Sequence, residues 1–445
     1  MGHLAGKDLY RELGSKIDTL VCRAPWNETL REILKSLYTE EEADLLIRMP
    51  SFASTASAIS RSAGLPESKT RTLLEAMAVK GLVVDLLMKG ESYYVPSPMV
   101  IGFFEFTMMR AGAAASESGT PDVKKMARLF HEYMEDGGPF YSANFGKGER
   151  VGAMRALPHE GTVAPDHAME VLDYEKAAAI AESSGKAAFG VCACRHKARH
   201  LGEEPCTAPL GVCTSFGYAA DYLVRRGLAR SASTGEVLDS LARSKELGLV
   251  LNADNVQKGV TFICHCCKCC CLALKGISTH GYPNAVVTSS FIASVDAAAC
   301  AGCGACVKAC PVDAMRPVPG PTEPSGKPGR GSVEVDEGLC LGCGVCAVKC
   351  AKACVRLVPR KARVLHPETT FRKVILSALE RGTLQHQLFG DPASVSQAFL
   401  RAALGAFLGL GPVQKALMSD ALRSSFLKAL ESAARERGDG WAVDL

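Results

Sequence analysis

Residues 300–311 read CAGCGACVKACP, and residues 340–350 read CLGCGVCAVKC. Both stretches place cysteines at the spacing Cys-x2-Cys-x2-Cys-x3-Cys, and both follow a Val-Asp pair, which begins at Val295 or at Val335. This spacing is typical of loops that wrap a cubane iron–sulfur cluster, because three thiolates separated by two residues each reach three corners of one cube. The duplication therefore predicts two [4Fe-4S] clusters.

The fourth cysteine of each copy is carried away from its own loop, and in duplicated sequences of this kind it ligates the other cluster. The predicted ligands of the first cluster are Cys300, Cys303, Cys306 and Cys350. Those of the second cluster are Cys340, Cys343, Cys346 and Cys310. A structural zinc ribbon is the alternative for a Cys-x2-Cys pair, but zinc sites are spaced differently from this duplicated pattern.

The segment from about residue 293 to 358 resembles bacterial two-cluster ferredoxins. The resemblance implies a small pseudo-twofold α+β unit. Ala351 stands where the ferredoxin pattern usually repeats the proline found at Pro311, and this departure removes no ligand.

Composition restricts the class of protein. The chain has 445 residues, 47% of them hydrophobic, so it is long enough for two to four domains. Its net charge of +4 favours no class of partner. The twenty cysteines bunch into runs too close together for sensible disulfides, which indicates metal thiolates in a reducing compartment. Because neither a secretory signal nor a stretch of about 18 apolar residues is visible, we expect a soluble cytoplasmic protein without a transmembrane segment.

Residues 28–98 predict a first domain. Thr39 and Glu42 form a capping box at a helix start, a helix is expected over 67–80, and residues 82–95 indicate a β-hairpin. This order resembles a winged helix-turn-helix domain. The range contains eight Lys/Arg and ten Asp/Glu, whereas a DNA-binding domain should be distinctly basic. Nucleic acid is therefore an unfavoured partner, and protein docking is the alternative.

A second group of cysteines lies within residues 99–290, a region expected to be mostly helical. Ten cysteines are more than packing requires, and one metal cannot use them all, because neighbouring thiolates point apart. We expect at least one further [4Fe-4S] cluster with ligands from both cysteine runs, a zinc site being the alternative. The predicted ligands are Cys192, Cys194, Cys206, Cys213, Cys264, Cys266, Cys267 and Cys270.

Residues 360–445 predict a helical C-terminal region. The fold class expected for the whole chain is multidomain α+β: a winged-helix-like domain, a mostly helical Cys-rich domain, a two-cluster ferredoxin-like domain over 293–358 and a helical tail. Roughly residues 10–360 resemble a group of 4Fe-4S ferredoxin-type proteins of anaerobic and environmental bacteria. That resemblance implies cofactors and architecture and carries no reaction.

Three functions follow, in order of preference. The first is an electron-transfer protein that serves redox partner proteins, since the sequence contains no nucleotide-binding fingerprint. The second is an oxidoreductase whose central cysteine-rich site is catalytic. The third is a redox-sensing DNA-binding regulator.

Overall fold

The computed structural model describes residues 8–113, 121–146, 151–202, 206–320, 329–361, 364, 366–436 and 440–443. About half of the chain is helical, and the strands form small sheets. No helix in these ranges is both long and apolar enough to cross a membrane.

The N-terminal region combines helices with a three-stranded antiparallel sheet of order β1-β3-β2. Its elements are α1 (Leu9–Ile17), α2 (Glu28–Leu37), α3 (Glu40–Arg48), β1 (Ser54–Thr55), α4 (Ala56–Ala63), α5 (Glu67–Lys80), β2 (Val83–Met88) and β3 (Glu91–Pro96). The predicted capping box is present, since Thr39 and Glu42 exchange side chain-to-backbone hydrogen bonds at the start of α3. The expected helix over 67–80 and the expected hairpin are also present.

Three helices complete this part of the chain: α6 (Phe104–Ala113), α7 (Val123–Met134) and α8 (Phe140–Asn144). They share one buried core with the preceding helices, in which Phe104 and Phe130 meet edge to face. A distorted turn over Met99–Phe103 leads into α6, with Ile101 in a left-handed conformation at φ +54°.

The middle region is built on a six-stranded antiparallel sheet of order β4-β8-β9-β6-β5-β7. Its elements are β4 (Met154–Leu157), α9 (Ala177–Ser183), β5 (Ala187–Gly190), α10 (Ala193–Leu201), β6 (Cys213–Phe216), α11 (Gly217–Arg225), β7 (Ala229–Ala232), α12 (Thr234–Leu247), β8 (Val250–Asp254), β9 (Phe262–Cys266) and α13 (Leu272–Ser278). Short 3-10 turns cover Pro165–Glu170, Asp173–Glu175 and Pro283–Ala285.

The expectation of a mostly helical region over 99–290 missed this sheet. Its strands have only four or five residues, and β8 is buried at every position. A strand covered on both faces shows no alternation of polar and apolar residues, so its period cannot be read from the sequence.

The segment that resembles a ferredoxin forms two interlocked halves: β10 (Phe291–Val295), α14 (Ala305–Ala309) and β11 (Met315–Val318), then β12 (Ser332–Val335), α15 (Val345–Val348) and β13 (Val355–Pro359). The first strand pairs with the last and β11 pairs with β12, in both cases antiparallel. Each of the two small sheets therefore combines one strand from each half.

This unit packs directly against the middle region. The amide of Ser289 donates to the carbonyl of Leu341 at 3.0 Å, and the amide of His159 donates to the carbonyl of Cys343 at 3.0 Å. A backbone bridge also joins Val163 to Leu357. The loop over 340–346 is thereby fixed to the middle region through its backbone.

The C-terminal region is helical, as predicted, with its own buried core. Its helices are α16 (Thr370–Glu380), α17 (Leu384–Leu388), α18 (Val395–Leu408), α19 (Gly411–Leu417), α20 (Asp420–Glu436) and α21 (Gly440–Val443). Backbone bonds from Gln257 to Pro367 and from Lys258 to Glu368 attach the start of this region to the loop before β9.

Candidate metal centres

One group of thiols in the ferredoxin-like unit combines cysteines from both halves. Cys310 lies at the end of α14, yet it lines one small cavity, of about 20 Å³, with Cys340, Cys343 and Cys346. All four side chains are buried. Burial, together with the charges of Cys340 and Cys310, raises the pKa of Cys343 to about 12. Four thiolates can therefore be held here only with a cationic group between them.

The other group also crosses between the halves. Burial raises the pKa of Cys306, and the charges of Cys350 and Cys300 add to this shift, so the three thiols lie close together. Cys303, on the same loop as Cys300, is exposed at the surface. Cys354 lies 3.3 Å from Cys350, Sγ to Sγ, and is a further thiol at this centre. The structure thus brings Cys350 to the first loop and Cys310 to the second, which is the arrangement that crossed ligation requires.

The backbone of both loops is shaped to surround such groups. Gly302 and Gly342 adopt left-handed conformations, with φ of +66° and +68°. A Cβ atom on Gly342 would lie 2.1 Å from the carbonyl oxygen of Phe291, so only glycine fits. The amide of Ala314 donates to the Sγ of Cys310 at 3.2 Å. Amide donors of this kind stabilise negative charge on cysteine sulfur.

The ten central cysteines separate into two sets. The larger set lines an enclosed cavity of about 90 Å³ in the middle region. Two of its members come from the start of α10, one from β6, two from β9 and one from the residue before α13. We call this the six-cysteine cavity, formed by Cys192, Cys194, Cys213, Cys264, Cys266 and Cys271.

Five of the six thiols of the six-cysteine cavity are linked by hydrogen bonds. Cys194 is hydrogen-bonded to Cys271, which raises the pKa of Cys194. Cys264 is hydrogen-bonded to Cys213 and to Cys266, and its pKa is also raised. The contacts run from one thiol to the next around the cavity. Such a set cannot ionise together unless a positive group compensates the charge.

Buried polar atoms at the same cavity indicate what it accommodates. Arg195 lines the cavity and donates through Nη1 to the carbonyl of His265 at 2.7 Å. Its Nε and Nη2 atoms are buried and have no hydrogen-bond partner among the described residues. Buried donors are rarely left unpaired, and the sulfides of an anionic cluster would accept from them. The cavity therefore fits an iron–sulfur cluster.

The remaining wall of the cavity is largely apolar. Val100, Tyr141, Phe145 and Met154 contribute to it and exclude water. Glu105 is the acidic side chain of this wall; it accepts a hydrogen bond from the Gly102 amide at 3.0 Å, and burial raises its pKa to about 7.

The smaller set is compact. We call it the four-cysteine group, formed by Cys206, Cys267, Cys269 and Cys270, whose sulfur atoms all lie within 4.8 Å of one another. Cys206 and Cys267 are 3.6 Å apart, and Cys269 and Cys270 are 3.5 Å apart. Cys267 also touches the wall of the six-cysteine cavity, so the two sets are neighbours.

The histidines and lysine near these cysteines are engaged elsewhere. Both ring nitrogens of His265 contact hydroxyls, Ser244 at 2.6 Å and Thr214 at 2.9 Å, and burial lowers its pKa to about 3. His196 contacts the carbonyl of Met108 at 2.8 Å. Lys197 forms a buried ion pair with Glu135. Arg195, by contrast, reaches a thiol, since its Nη1 lies 3.8 Å from the Sγ of Cys267.

Comparison with known proteins agrees with the geometry of the C-terminal cysteines. Residues 299–373 match the family model of the 4Fe-4S dicluster domain. This chain carries a ferredoxin-type iron–sulfur domain. No curated protein and no solved structure matches the chain. The family match covers the dicluster domain and does not include the six-cysteine cavity or the four-cysteine group.

The family match supports the prediction of a dicluster domain, and the assignment of its eight cysteine ligands stays a prediction. At least one further cluster was predicted, with ligands from eight central cysteines, and the structure distributes these eight over two groups. Five of the eight line the six-cysteine cavity, and Cys206, Cys267 and Cys270 belong to the four-cysteine group. Cys269 and Cys271 were not among the predicted ligands. No spacing rule separates adjacent cysteines, because their assignment depends on the turn over 268–270.

Proposed function

We propose that this chain is an iron–sulfur electron-transfer protein. Its dicluster domain holds two [4Fe-4S] clusters, and the six-cysteine cavity holds a further iron–sulfur centre. The ligands of the dicluster domain are those predicted by crossed spacing, and four or more of the cavity cysteines hold the third centre. The observation that carries the proposal is the convergence of six thiols and the unpaired Arg195 donors on one enclosed cavity beside that domain.

Packing supports electron transfer between the two regions. Cys266 and Cys271 belong to the same buried core as Cys310, Cys340 and the other buried thiols of the dicluster domain. The two regions therefore share one continuous buried core at these residues. The cluster held by the 340–346 loop is the inner one, since that loop is hydrogen-bonded to the middle region.

The exposure of the cysteines indicates where the dicluster domain exchanges electrons with a partner. Cys303 is exposed, whereas Cys340, Cys343, Cys346 and Cys310 are all buried. A redox partner protein therefore exchanges electrons at the Cys303 loop, and the inner cluster connects that loop to the cavity. The clusters supply one-electron chemistry, while the chain excludes water, donates backbone amides to sulfur and compensates charge through Arg195. We place this function in the cytoplasm, where thiols stay reduced, in keeping with the twenty free cysteines.

Anaerobic iron and sulfide determination with EPR tests the proposal. We expect about twelve irons per chain, about eight from the dicluster domain and about four from the cavity. Cys266→Ser should remove one EPR component and leave the two dicluster signals. Fewer than about eight irons would exclude the dicluster assignment, and about eight irons with only the two dicluster EPR signals would exclude the cavity centre.

The excess of thiols favours a second candidate, a reductase whose cavity is catalytic. A cubane takes four thiolates, so two of the six cavity cysteines are spare for chemistry. Under this candidate, Cys194→Ser abolishes turnover while the EPR signals of the dicluster domain remain. Retained turnover would reject it.

The N-terminal region is proposed to be a winged-helix-like docking module and a poor DNA binder. The cations at the start of α5 are already paired: Lys69 with Glu41 at 2.6 Å and Arg71 with Glu67 at 2.6 Å. Phosphate binding would have to replace these pairs.

The hairpin of this module is engaged by the middle region. Arg225 and Arg226 of α11 both bind the buried Asp85 of β2, and the Tyr222 hydroxyl donates to the carbonyl of Val83 at 3.3 Å. This contact opposes the alternative of a redox-sensing DNA-binding regulator. A gel shift with the DNA upstream of its own gene in both redox states tests it, and salt-sensitive binding in one state would revive the regulator.

A further inference from the structure

We propose that the four-cysteine group of Cys206, Cys267, Cys269 and Cys270 binds a single zinc ion in a tetrahedral site, separate from every iron–sulfur centre. All four sulfur atoms lie within 4.8 Å of one another, with adjacent pairs at 3.6 Å and 3.5 Å. Zinc bound tetrahedrally at about 2.3 Å from each sulfur holds its thiolates about 3.8 Å apart. The group already has the dimensions of such a site.

The other cysteines of the chain provide an internal comparison. Within the described ranges, no other three histidine, cysteine or acidic side chains converge to this degree. That includes the eight cysteines of the dicluster domain, which all lie in those ranges. A cubane carries a metal at each of four corners and holds its thiolates farther apart than a single ion does. The close convergence therefore indicates one ion.

The location of the group suits a structural ion. Three of its cysteines sit in a small core of their own with Ala198, Ala208 and Leu249, apart from the larger cores. Cys206 lies on the loop between α10 and β6, and the others lie on the turn between β9 and α13. A zinc ion would fasten the loop to the turn.

Charge and metal preference agree with zinc. Four thiolates and one divalent cation leave two net negative charges, and the buried guanidinium of Arg195 lies 3.8 Å from the Sγ of Cys267. The same ligands could hold one iron ion, but sites of a given type bind zinc more tightly than ferrous iron. Zinc has no redox chemistry, so this site adds rigidity and carries no electron.

Metal analysis of the full chain, purified anaerobically from cells supplied with both iron and zinc, tests the site. We expect one zinc per chain, with four sulfur ligands at about 2.3 Å by X-ray absorption at the zinc edge. Cys269→Ser and Cys206→Ser should each lose this zinc, with iron content and EPR signals unchanged. Cys269 is exposed, so its substitution should leave the fold intact.

Cys271→Ser is the matched control, because it lies in the same cysteine run but lines the six-cysteine cavity. It should keep the zinc and lose iron. Absence of zinc from the wild-type protein, nitrogen or oxygen ligands at the zinc edge, or loss of iron from Cys269→Ser would overturn the zinc site. If the wild-type protein holds one zinc but only about eight irons, the zinc site stands and the proposed cavity cluster fails.

Discussion

The Nη1 atom of Arg195 lies 3.8 Å from the Sγ of Cys267, so one guanidinium faces both sets of central thiols. The side chain is only 2% exposed, and its charge is compensated mainly by the surrounding sulfur atoms. Burying an unpaired cation is costly, whereas a cation beside a reducible anionic centre stabilises the reduced state. Arg195 is therefore placed to raise the potential of the proposed centre in the six-cysteine cavity.

Replacing Arg195 by a neutral residue should change the midpoint potential of the proposed cavity centre. We expect Arg195→Gln to lower the midpoint potential of the cavity centre by an amount on the order of 100 mV, the size of one charge interaction at an effective dielectric constant of about 20. Potentiometric titration followed by EPR measures it. Arg199→Gln, at an exposed position of the same helix, should leave all potentials unchanged. Equal potentials in wild type and Arg195→Gln would contradict the assignment.

Two glycines of the dicluster domain should respond differently to the same substitution. Gly342 and Gly304 have similar left-handed backbones, with φ of +68° and +70°. A Cβ on Gly304 meets nothing within 4 Å, whereas one on Gly342 would lie 2.1 Å from the carbonyl oxygen of Phe291. Gly304→Ala should cost about 1–2 kcal/mol from backbone strain alone.

Gly342→Ala should cost clearly more than Gly304→Ala, because it must also move β10 away from the loop that surrounds the inner cluster. We expect reduced iron content for Gly342→Ala only, and a larger fall in the thermal unfolding midpoint for Gly342→Ala than for Gly304→Ala. The two variants should be compared in the same anaerobic preparation. Equal effects in both variants would show that close packing at Phe291 is unimportant.

The dicluster domain could be predicted from the sequence because its ligands are local. Three of the four cysteines of each set lie within seven residues, so the spacing alone defines the loop. The crossing of Cys310 and Cys350 followed from the duplication, and the pairing of β10 with β13 provides the interlocked geometry that it needs. The helix over 67–80 and the capping box at Thr39 were likewise readable, since their signals are local.

The two central groups of cysteines could not be predicted from the sequence, because their members are far apart along the chain. Cys194 meets Cys271 only through the order of strands in the six-stranded sheet, and that sheet has no periodic signature. Glu105 reaches the cavity wall from α6, at a distance in sequence that no motif connects to the cysteines. Adjacent cysteines such as Cys270 and Cys271 enter different groups because the chain changes from a turn to a helix between them.

A buried ion pair should contribute strongly to stability. Glu135 pairs with Lys197 of α10, whose side chain is 1% exposed, and with Lys275 at 3.1 Å. Glu135→Gln would leave two cations without their carboxylate, and we expect a loss of about 3–5 kcal/mol in the free energy of unfolding. Denaturant titration under anaerobic conditions measures it.

The surface pair of Arg243 and Glu246, 3.2 Å apart and more than half exposed, is the matched comparison for Glu135. Arg243→Gln should cost less than about 1 kcal/mol, because exposed ion pairs are screened by water. Similar losses for the two variants would mean that burial adds nothing to the Glu135 pair.

His366 should make the protein less stable in acid. It is buried, its Nδ1 lies 2.7 Å from Asn255 Oδ1, and its pKa is lowered to about 3, chiefly by burial and then by the charge of Arg155. The unfolded chain takes up this proton near pH 6.5 and the folded chain only near pH 3. Between these values the unfolded state binds more protons, so stability falls on acidification, by up to about 1.4 kcal/mol per pH unit for one such group.

His366→Gln removes the titrating ring and keeps an amide that can donate to Asn255. Urea titrations of both proteins between pH 7.5 and about 5 should therefore show that the free energy of unfolding falls less steeply with decreasing pH in the variant. The two slopes should differ by up to about 1.4 kcal/mol per pH unit. His265, whose pKa is also lowered to about 3, remains in both proteins and sets part of the residual slope. Parallel slopes would mean that His366 is already accessible to protons in the folded state, and that the contact between the C-terminal region and the sheet opens before the chain unfolds.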